Sequence, residues 1–131
     1  MNLITNRTES AVYSYTDLNR VERAVAQIAE QLRALGIGEE EFITKTDWGL
    51  PEDFSVETWP VQSQMKRYIG NVQKIKAVFP CAVRLPASME NLNWIGANNI
   101  ERVLQIACSR IDGIRQAYRY SGEVYAGEEL L

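Results

Sequence analysis

The side chains that could do chemistry in this sequence are carboxylates and thiols, because its 131 residues include no histidine. Without imidazole there is no Ser-His or Cys-His nucleophile pair and no histidine ligand for a metal. Asp47, Asp53 and Glu57 lie close to Trp48 and Trp59 in the sequence, and apolar surroundings can raise a carboxyl pKa for general acid catalysis. Acid-rich loops are usually solvated, however, and these acids lack the spacing of an EF-hand loop. The sequence therefore predicts a protein that is not an enzyme and that has no metal or cofactor.

The length and composition are those of one ordinary domain with a single core. No apolar run reaches the ~18 residues of a membrane span, and the first residues lack the apolar stretch of a secretory signal. Cys81 and Cys108 have no Cys-x-x-Cys spacing and are expected to be reduced, buried thiols. We expect a single domain, residues 1–131, that neither enters a membrane nor is exported by a recognisable signal.

Three segments carry apolar residues at the 3–4 spacing of an amphipathic helix. The first stripe is Leu18, Val21, Val25, Ile28, Leu32 and Leu35. The second is Met65, Tyr68, Ile69, Val72, Ile75 and Phe79. The third is Ile100, Val103, Leu104, Ala107, Ile111, Ile114 and Tyr118. The fold class is therefore mainly α, with helices at about 17–35, 62–79 and 98–119.

The helix ends can also be read from the sequence. Thr16 is expected to cap the first helix, and Gly36 to end it in the left-handed conformation. Asn98 and Glu101 resemble a capping box at the start of the third helix. The similar helix lengths favour a three-helix bundle with near-antiparallel neighbours.

A short extended or β-hairpin-like element is expected beside the bundle. Residues 42–48 alternate with a period of two, as a strand does. Residues 120–126 are rich in Tyr and Val and offer a second extended piece, although Gly122 weakens it. The tail, residues 120–131, is accordingly expected to be flexible or extended.

Charge is unevenly distributed along the chain. Residues 39–57 carry seven acids and one base, whereas residues 58–89 carry five bases and no acid. Lys66, Arg67 and Lys74 form a small basic face opposite the second stripe. Nucleic-acid binding usually needs a larger basic footprint than this acidic chain provides. The face is expected to be solvated, to pair with the acidic loop or to steer docking on an acidic protein partner.

The aromatic residues outside the stripes are the candidate anchors for a protein partner. Trp48, Trp59 and Trp94 either cap the ends of the bundle or are exposed interface anchors. Tyr120 and Tyr125 raise the same question for the tail. Glu123 and Glu128 accompany them as candidate tail contacts, and neither capping nor burial accounts for these acids.

Five phrases in order resemble a small helical module that recurs in phages and prophages of Firmicutes, catalogued as phage structural or tail-associated proteins. They are Tyr15-Thr16-Asp17-Leu18-Asn19-Arg20-Val21-Glu22, Thr44-Lys45-Thr46-Asp47-Trp48, Met65-x-x-Tyr68, Ala97-Asn98-x-Ile100-Glu101 and Tyr120-Ser121-Gly122-Glu123-Val124-Tyr125-Ala126-Gly127-Glu128. The resemblance begins at Asn6-Arg7-Thr8 and covers nearly the whole chain. Members of the module carry a longer stretch before the first phrase, where this chain has only residues 9–14.

The resemblance implies a virion context and establishes no catalytic or binding residue. We expect a non-enzymatic structural or adaptor protein, tail-associated, that docks on other phage structural proteins and can form a homo-oligomer. It would occupy the bacterial cytoplasm during assembly and the virion afterwards. The alternative is a small phage-encoded regulator that binds a host protein or nucleic acid.

Overall fold

Three helices pack around one apolar core in the computed structural model, which describes residues 2–38, 41–49, 62–90 and 92–129. For Gln62 and residues 118–129 it describes the backbone alone. The helices are α1 (Tyr15–Leu35), α2 (Gln62–Val78) and α3 (Trp94–Glu129). The predicted helical bundle is thus confirmed.

The predicted stripes form the core. Each helix contributes buried residues at the expected spacing, so the apolar faces meet in one cluster. The buried members are Leu18, Val21, Val25, Ile28, Leu32, Tyr68, Ile69, Val72, Ile75, Phe79, Ile100, Val103, Leu104, Ala107 and Ile111. Leu35, Met65 and Ile114 are half-buried at its edge.

The helices run parallel, and the expectation of near-antiparallel neighbours is wrong. Glu22 pairs with Arg67 near the start of α1 and α2, and Leu32 and Val78 line one cavity near their ends. Near the start of α3, Glu101 pairs with Arg20 near the start of α1. The buried face of α3 continues from Glu101 to Ile111, so α3 runs along the bundle in the same direction as α1. The connections permit this arrangement because each is longer than the ~9 extended residues that span a 30 Å bundle.

The described parts of the connections lie against the helices. Residues 41–49 lie between α1 and α2, and residues 79–86 lead back to α3, where Asn99 Nδ2 donates to the Arg84 carbonyl (2.9 Å). Across the described ranges there is no strand. The expected hairpin is not seen, because the segment 41–49 bonds to helix side chains and residues 120–129 continue α3.

The observed helix ends differ from two predicted caps. The N-cap of α1 is Ser14, whose N–H donates to the Asp17 carboxylate (2.8 Å), so Thr16 lies inside the helix. Helix α3 begins at Trp94, where the Asn93 side chain accepts the Gly96 N–H (2.8 Å). Asn98 and Glu101 therefore do not form a capping box, since both side chains bind the N-terminal segment. Gly36 ends α1 with φ 69°, as expected.

Candidate functional site

A buried cluster of two arginines and two carboxylates joins the N-terminal segment to α1 and α3. The Arg7 guanidinium donates to Asp17 (2.9 Å) and to Glu101. Arg20 donates from Nε to Glu101 Oε1 (2.7 Å), from Nη2 to Glu101 Oε2 (3.0 Å) and to Asp17. Glu101 is fully buried and the Arg7 side chain is 6% exposed. The two positive and two negative charges balance, which is how a core can hold ions without water.

The same cluster binds the backbone of the N-terminal segment. The Asn98 side chain accepts the Arg7 N–H (2.9 Å) and donates to the Arg7 carbonyl (3.2 Å). Glu101 Oε1 also accepts the Ile4 N–H (3.0 Å). Because the chain here is extended and has no neighbouring strand among the described residues, these side chains satisfy backbone groups that a sheet would otherwise pair.

Asp17 and Arg20 of this cluster are both held in their charged forms. Burial raises the pKa of Asp17, but hydrogen bonds from the Ser14 N–H and from Arg20 and Arg7 outweigh it, so the pKa lies below its ordinary value. Hydrogen bonds to Glu101 hold the Arg20 pKa above its ordinary value against the effect of burial. Groups that keep their charge hold structure, whereas general acids and bases need a pKa near the working pH.

A second buried cluster is centred on Glu22 and binds the segment 41–49. Arg67 donates two hydrogen bonds to the Glu22 carboxylate (2.9 and 2.8 Å). The same carboxylate accepts the Trp48 indole N–H (3.0 Å) and the Lys45 backbone N–H (3.0 Å). Glu22 is 1% exposed. Four donors therefore satisfy this carboxylate, and two of them belong to the segment 41–49.

Asparagine side chains secure the rest of that segment. Asn19 accepts the Trp48 N–H and donates to the Trp48 carbonyl (3.2 Å), the same two-way contact that Asn98 makes with Arg7. Asn71 donates to the Ile43 carbonyl (2.9 Å). Both segments are thus bound through their backbones by helix side chains.

The predicted anchors lie in different surroundings. Trp48 is 2% exposed, which fits the alternative that it packs on the core, whereas Trp94 is 37% exposed at the first position of α3. Trp59 lies outside the described residues. Residues Tyr120, Glu123, Tyr125 and Glu128 lie on the backbone of α3. The structure brings none of the described anchors together into a single patch.

The predicted basic face is partly occupied within the chain. Arg67 binds Glu22, and Lys74 donates to the Glu41 carbonyl (2.8 Å) and lies over the Phe42 ring. Lys66 is exposed. The predicted pairing of this face with the acidic loop is therefore met by a backbone carbonyl at Glu41, and the steering role of the face stays a prediction.

Most of the polar residues of these clusters were not predicted as site residues from the sequence. Arg7, Glu22 and Arg20 had no assigned role, and Asn98 and Glu101 were assigned to a cap. A signal did exist, because Glu22 lies four residues after Leu18 in an apolar stripe and so had to be buried. Its ionic partner is far away in sequence, and no local pattern identifies it.

The remaining reactive groups are two thiols. Cys81 and Cys108 form no disulfide and are half-buried, whereas the sequence predicts buried thiols. Burial and the neighbouring Asp112 raise the Cys108 pKa. Among the residues that the structure describes, no group of three or more Cys, Asp or Glu is placed to hold a metal ion, and no helix is long and apolar enough to cross a membrane.

The sequence matches no protein-family model and no curated protein, and no solved structure matches the fold.

Proposed function

We propose that this chain is a non-enzymatic structural or adaptor component of a phage or prophage particle, associated with its tail, that acts by protein–protein docking. The observation that carries this proposal is that the five phrases of the phage-like module lie in two different parts of the structure. The first four contribute residues to the two buried clusters or to the Tyr13–Tyr68 hydroxyl pair beside them. The fifth, residues 120–128, lies on α3 after Ile114, the last α3 residue that packs on the described core.

The end of α3 is the part of the chain best suited to docking. The last α3 residue that packs on the described core is Ile114, and α3 continues to Glu129. These 15 further residues extend about 22 Å at ~1.5 Å per residue. This stretch needs no new helix nucleus because it continues a helix that the core holds, but Gly122 and Gly127 each lower its helical stability by about 1 kcal/mol relative to alanine. Packing against a partner protein would supply the missing stability.

The residues we propose for this contact are those of the fifth phrase. Tyrosine is enriched among the residues that dominate binding energy, and Tyr120 and Tyr125 are the aromatic members of the phrase. Glu123 and Glu128 supply its charge and would pair with cations of the partner. Trp94 and Lys66 are secondary candidates because both are exposed. Trp48, Arg67 and Lys74 have contacts within the chain, so the proposal does not use them.

The test is incorporation into particles. Particles purified from the induced bacterium that encodes the chain should contain it at a fixed ratio to the other virion proteins. The double variant Tyr120→Ala and Tyr125→Ala should be folded yet incorporated at least tenfold less, since one interface hot spot contributes about 2 kcal/mol. The matched control is Val12→Ala, which changes an 83% exposed side chain three residues before α1 and should be incorporated normally.

Two results would contradict the proposal. One is a chain that is abundant in the host lysate and missing from purified particles. The other is a double variant that is incorporated like the control. If the chain instead binds host nucleic acid with an affinity that falls steeply with salt, the regulator alternative takes its place.

A further inference from the structure

Residues 2–8, here called the N-terminal arm, lie against α1 and α3 as a bound peptide would. The side chains alternate along the arm: Leu3, Thr5 and Arg7 are half-buried, and the residues between them are exposed. Leu3 packs against the apolar core. This period of two shows that the arm is extended, with one edge of side chains facing the groove between the two helices.

The groove recognises both the backbone and the side chains of the arm. Asn98 makes two hydrogen bonds to the main chain of Arg7, and Glu101 makes one to that of Ile4. The Arg7 guanidinium enters a pocket whose two carboxylates belong to Asp17 and Glu101. Main-chain bonds give affinity for any extended peptide, and the pocket gives specificity for arginine, because a planar guanidinium can bridge two carboxylates.

The link between the arm and α1 is exposed in its first part, although Glu9 and Ala11 border a cavity that Trp94 also lines. Residues 9–12 are all exposed, and Val12 is 83% exposed. The hydrogen bonds of this stretch are local, between the Ala11 N–H and the Thr8 carbonyl (3.0 Å) and between the Thr8 and Ser10 hydroxyls (3.0 Å). Tyr13, at the end of the link, is fixed by the contact of its hydroxyl with that of Tyr68, and its ring lies 5.4 Å from the Arg7 guanidinium. An exchange of arms would therefore have to redirect the chain within residues 9–12.

We propose that the groove between α1 and α3 is a binding site for an extended, arginine-bearing peptide, and that in an assembly the arm of a second copy fills it. A second copy fits because its arm has the same sequence and makes every contact named above. Exchange of an identical element between copies costs little, since each hydrogen bond and ion pair that breaks within one chain forms again between two chains. The inference rests on the groove alone and is independent of the phage context.

The first experiment releases the arm from its own chain. A protease site replaces residues 9–12, the folded protein is cut, and a labelled peptide of residues 1–8 is added in excess. We expect the labelled peptide to replace the cut arm and to bind at least tenfold more tightly than the Arg7→Lys peptide.

The matched control is an Asn6→Gln peptide, which changes an exposed position and should bind like the natural sequence. The proposed site is overturned if the cut protein releases its arm and then binds no labelled peptide at about 1 mM. A Kd of that size corresponds to a binding free energy of about −4 kcal/mol. Equal binding of the Arg7→Lys peptide overturns its specificity for arginine.

The second experiment tests the exchange between copies. The arm runs opposite to α1, and the chain turns at Thr8–Ala11, where the Ala11 N–H bonds to the Thr8 carbonyl. Deleting residues 9–12 removes this turn, which folds an arm back onto its own groove. We expect the shortened chain to form dimers or larger species, measured by light scattering over a wide concentration range, and excess peptide of residues 1–8 to dissociate them. A shortened chain that stays monomeric overturns the exchange.

Mixing provides a second measure of exchange that does not require the shortened chain to fold. Cut protein that has lost its arm should capture a tagged intact chain. The peptide of residues 1–8 should then displace the captured chain. Failure of capture by a body that still binds the peptide overturns exchange while leaving the peptide site in place. Neither result bears on particle incorporation, so the inference and the proposed function can fail separately.

Discussion

Replacing Arg7 with methionine tests whether the buried ionic cluster holds the fold together. Methionine keeps an unbranched apolar stem in place and removes the guanidinium, so packing changes little. Asp17 and Glu101 then share Arg20 alone, and Glu101 is fully buried. Removing one partner of a buried ion pair costs about 3–5 kcal/mol. Because Arg20 still pairs with both carboxylates, we expect the lower value, about 3 kcal/mol.

The assay is urea unfolding followed by tryptophan fluorescence, since Trp48 lies in the core. A loss of about 3 kcal/mol corresponds to a fall in Tm of roughly 12 °C for a domain of this size. The slope of unfolding free energy against urea should stay constant if only stability changes. Arg7→Lys should cost about half as much, because it keeps the charge and loses the bridging geometry.

The matched control is Arg23→Met, an exposed arginine on the same helix as Arg20, which should shift stability by less than about 0.5 kcal/mol. If Arg7→Met costs no more than this control, Arg20 alone neutralises both carboxylates. The claim that the arm is held by its arginine would then be refuted.

Four further substitutions test single features. Asp17→Asn should lower stability at neutral pH, and the difference in stability from wild type should shrink as the pH falls below about 4. The reason is that a carboxyl pKa depressed in the folded protein stabilises the fold only above the pKa of the unfolded chain. Acid unfolding curves of the two proteins measure this difference. Gly70→Ala and Gly113→Ala should each raise the Tm by a few degrees, about 1 kcal/mol, because nothing in the described structure lies within 4 Å of the added Cβ. Gly49→Ala should lower the Tm by a comparable or larger amount, because Gly49 has φ 98° and its Cβ would lie 3.1 Å from the Tyr15 ring.

The apolar faces of the helices were predictable because a spacing of three and four residues is a local property of the sequence. Val21, Ile75 and Leu104 are fully buried as their positions in the stripes require. The left-handed end of α1 at Gly36 is local in the same sense. Helix direction is not, because apolar stripes pack equally well in either orientation. The sequence feature that bears on helix direction is the length of the connections. Parallel neighbours require each connection to return along the bundle, and connections this long can do so.

The continuation of α3 to Glu129 could not be predicted from local preferences. Tyr120, Val124 and Tyr125 favour extended structure, and Gly122 disfavours a helix, yet the helix continues through them. Helical structure propagates from the long segment that the core already holds, so adding a residue costs less than starting a new turn. Local preference is a weak guide where a formed helix leads into the segment.

The Glu22 cluster shows why these buried charges are retained although they must be stripped of water. Replacing a buried ion pair with apolar residues of similar size is often neutral or stabilising. Here Glu22 also accepts the indole N–H of Trp48 and the backbone N–H of Lys45, and a Glu22→Leu, Arg67→Met double variant leaves both donors without an acceptor. Each unsatisfied buried donor costs about 1–3 kcal/mol.

We therefore expect the double variant to be less stable by about 2–4 kcal/mol, and the segment 41–49 to lose protection from hydrogen exchange before the helices do. Equal loss of protection in helices and segment would mean that the cluster stabilises the bundle as a whole. A double variant as stable as wild type would show that packing alone positions the segment. The expected result would mean that Glu22 determines which connection lies in the groove between α1 and α2. The apolar stripes cannot determine this, because they present similar surfaces to any extended chain.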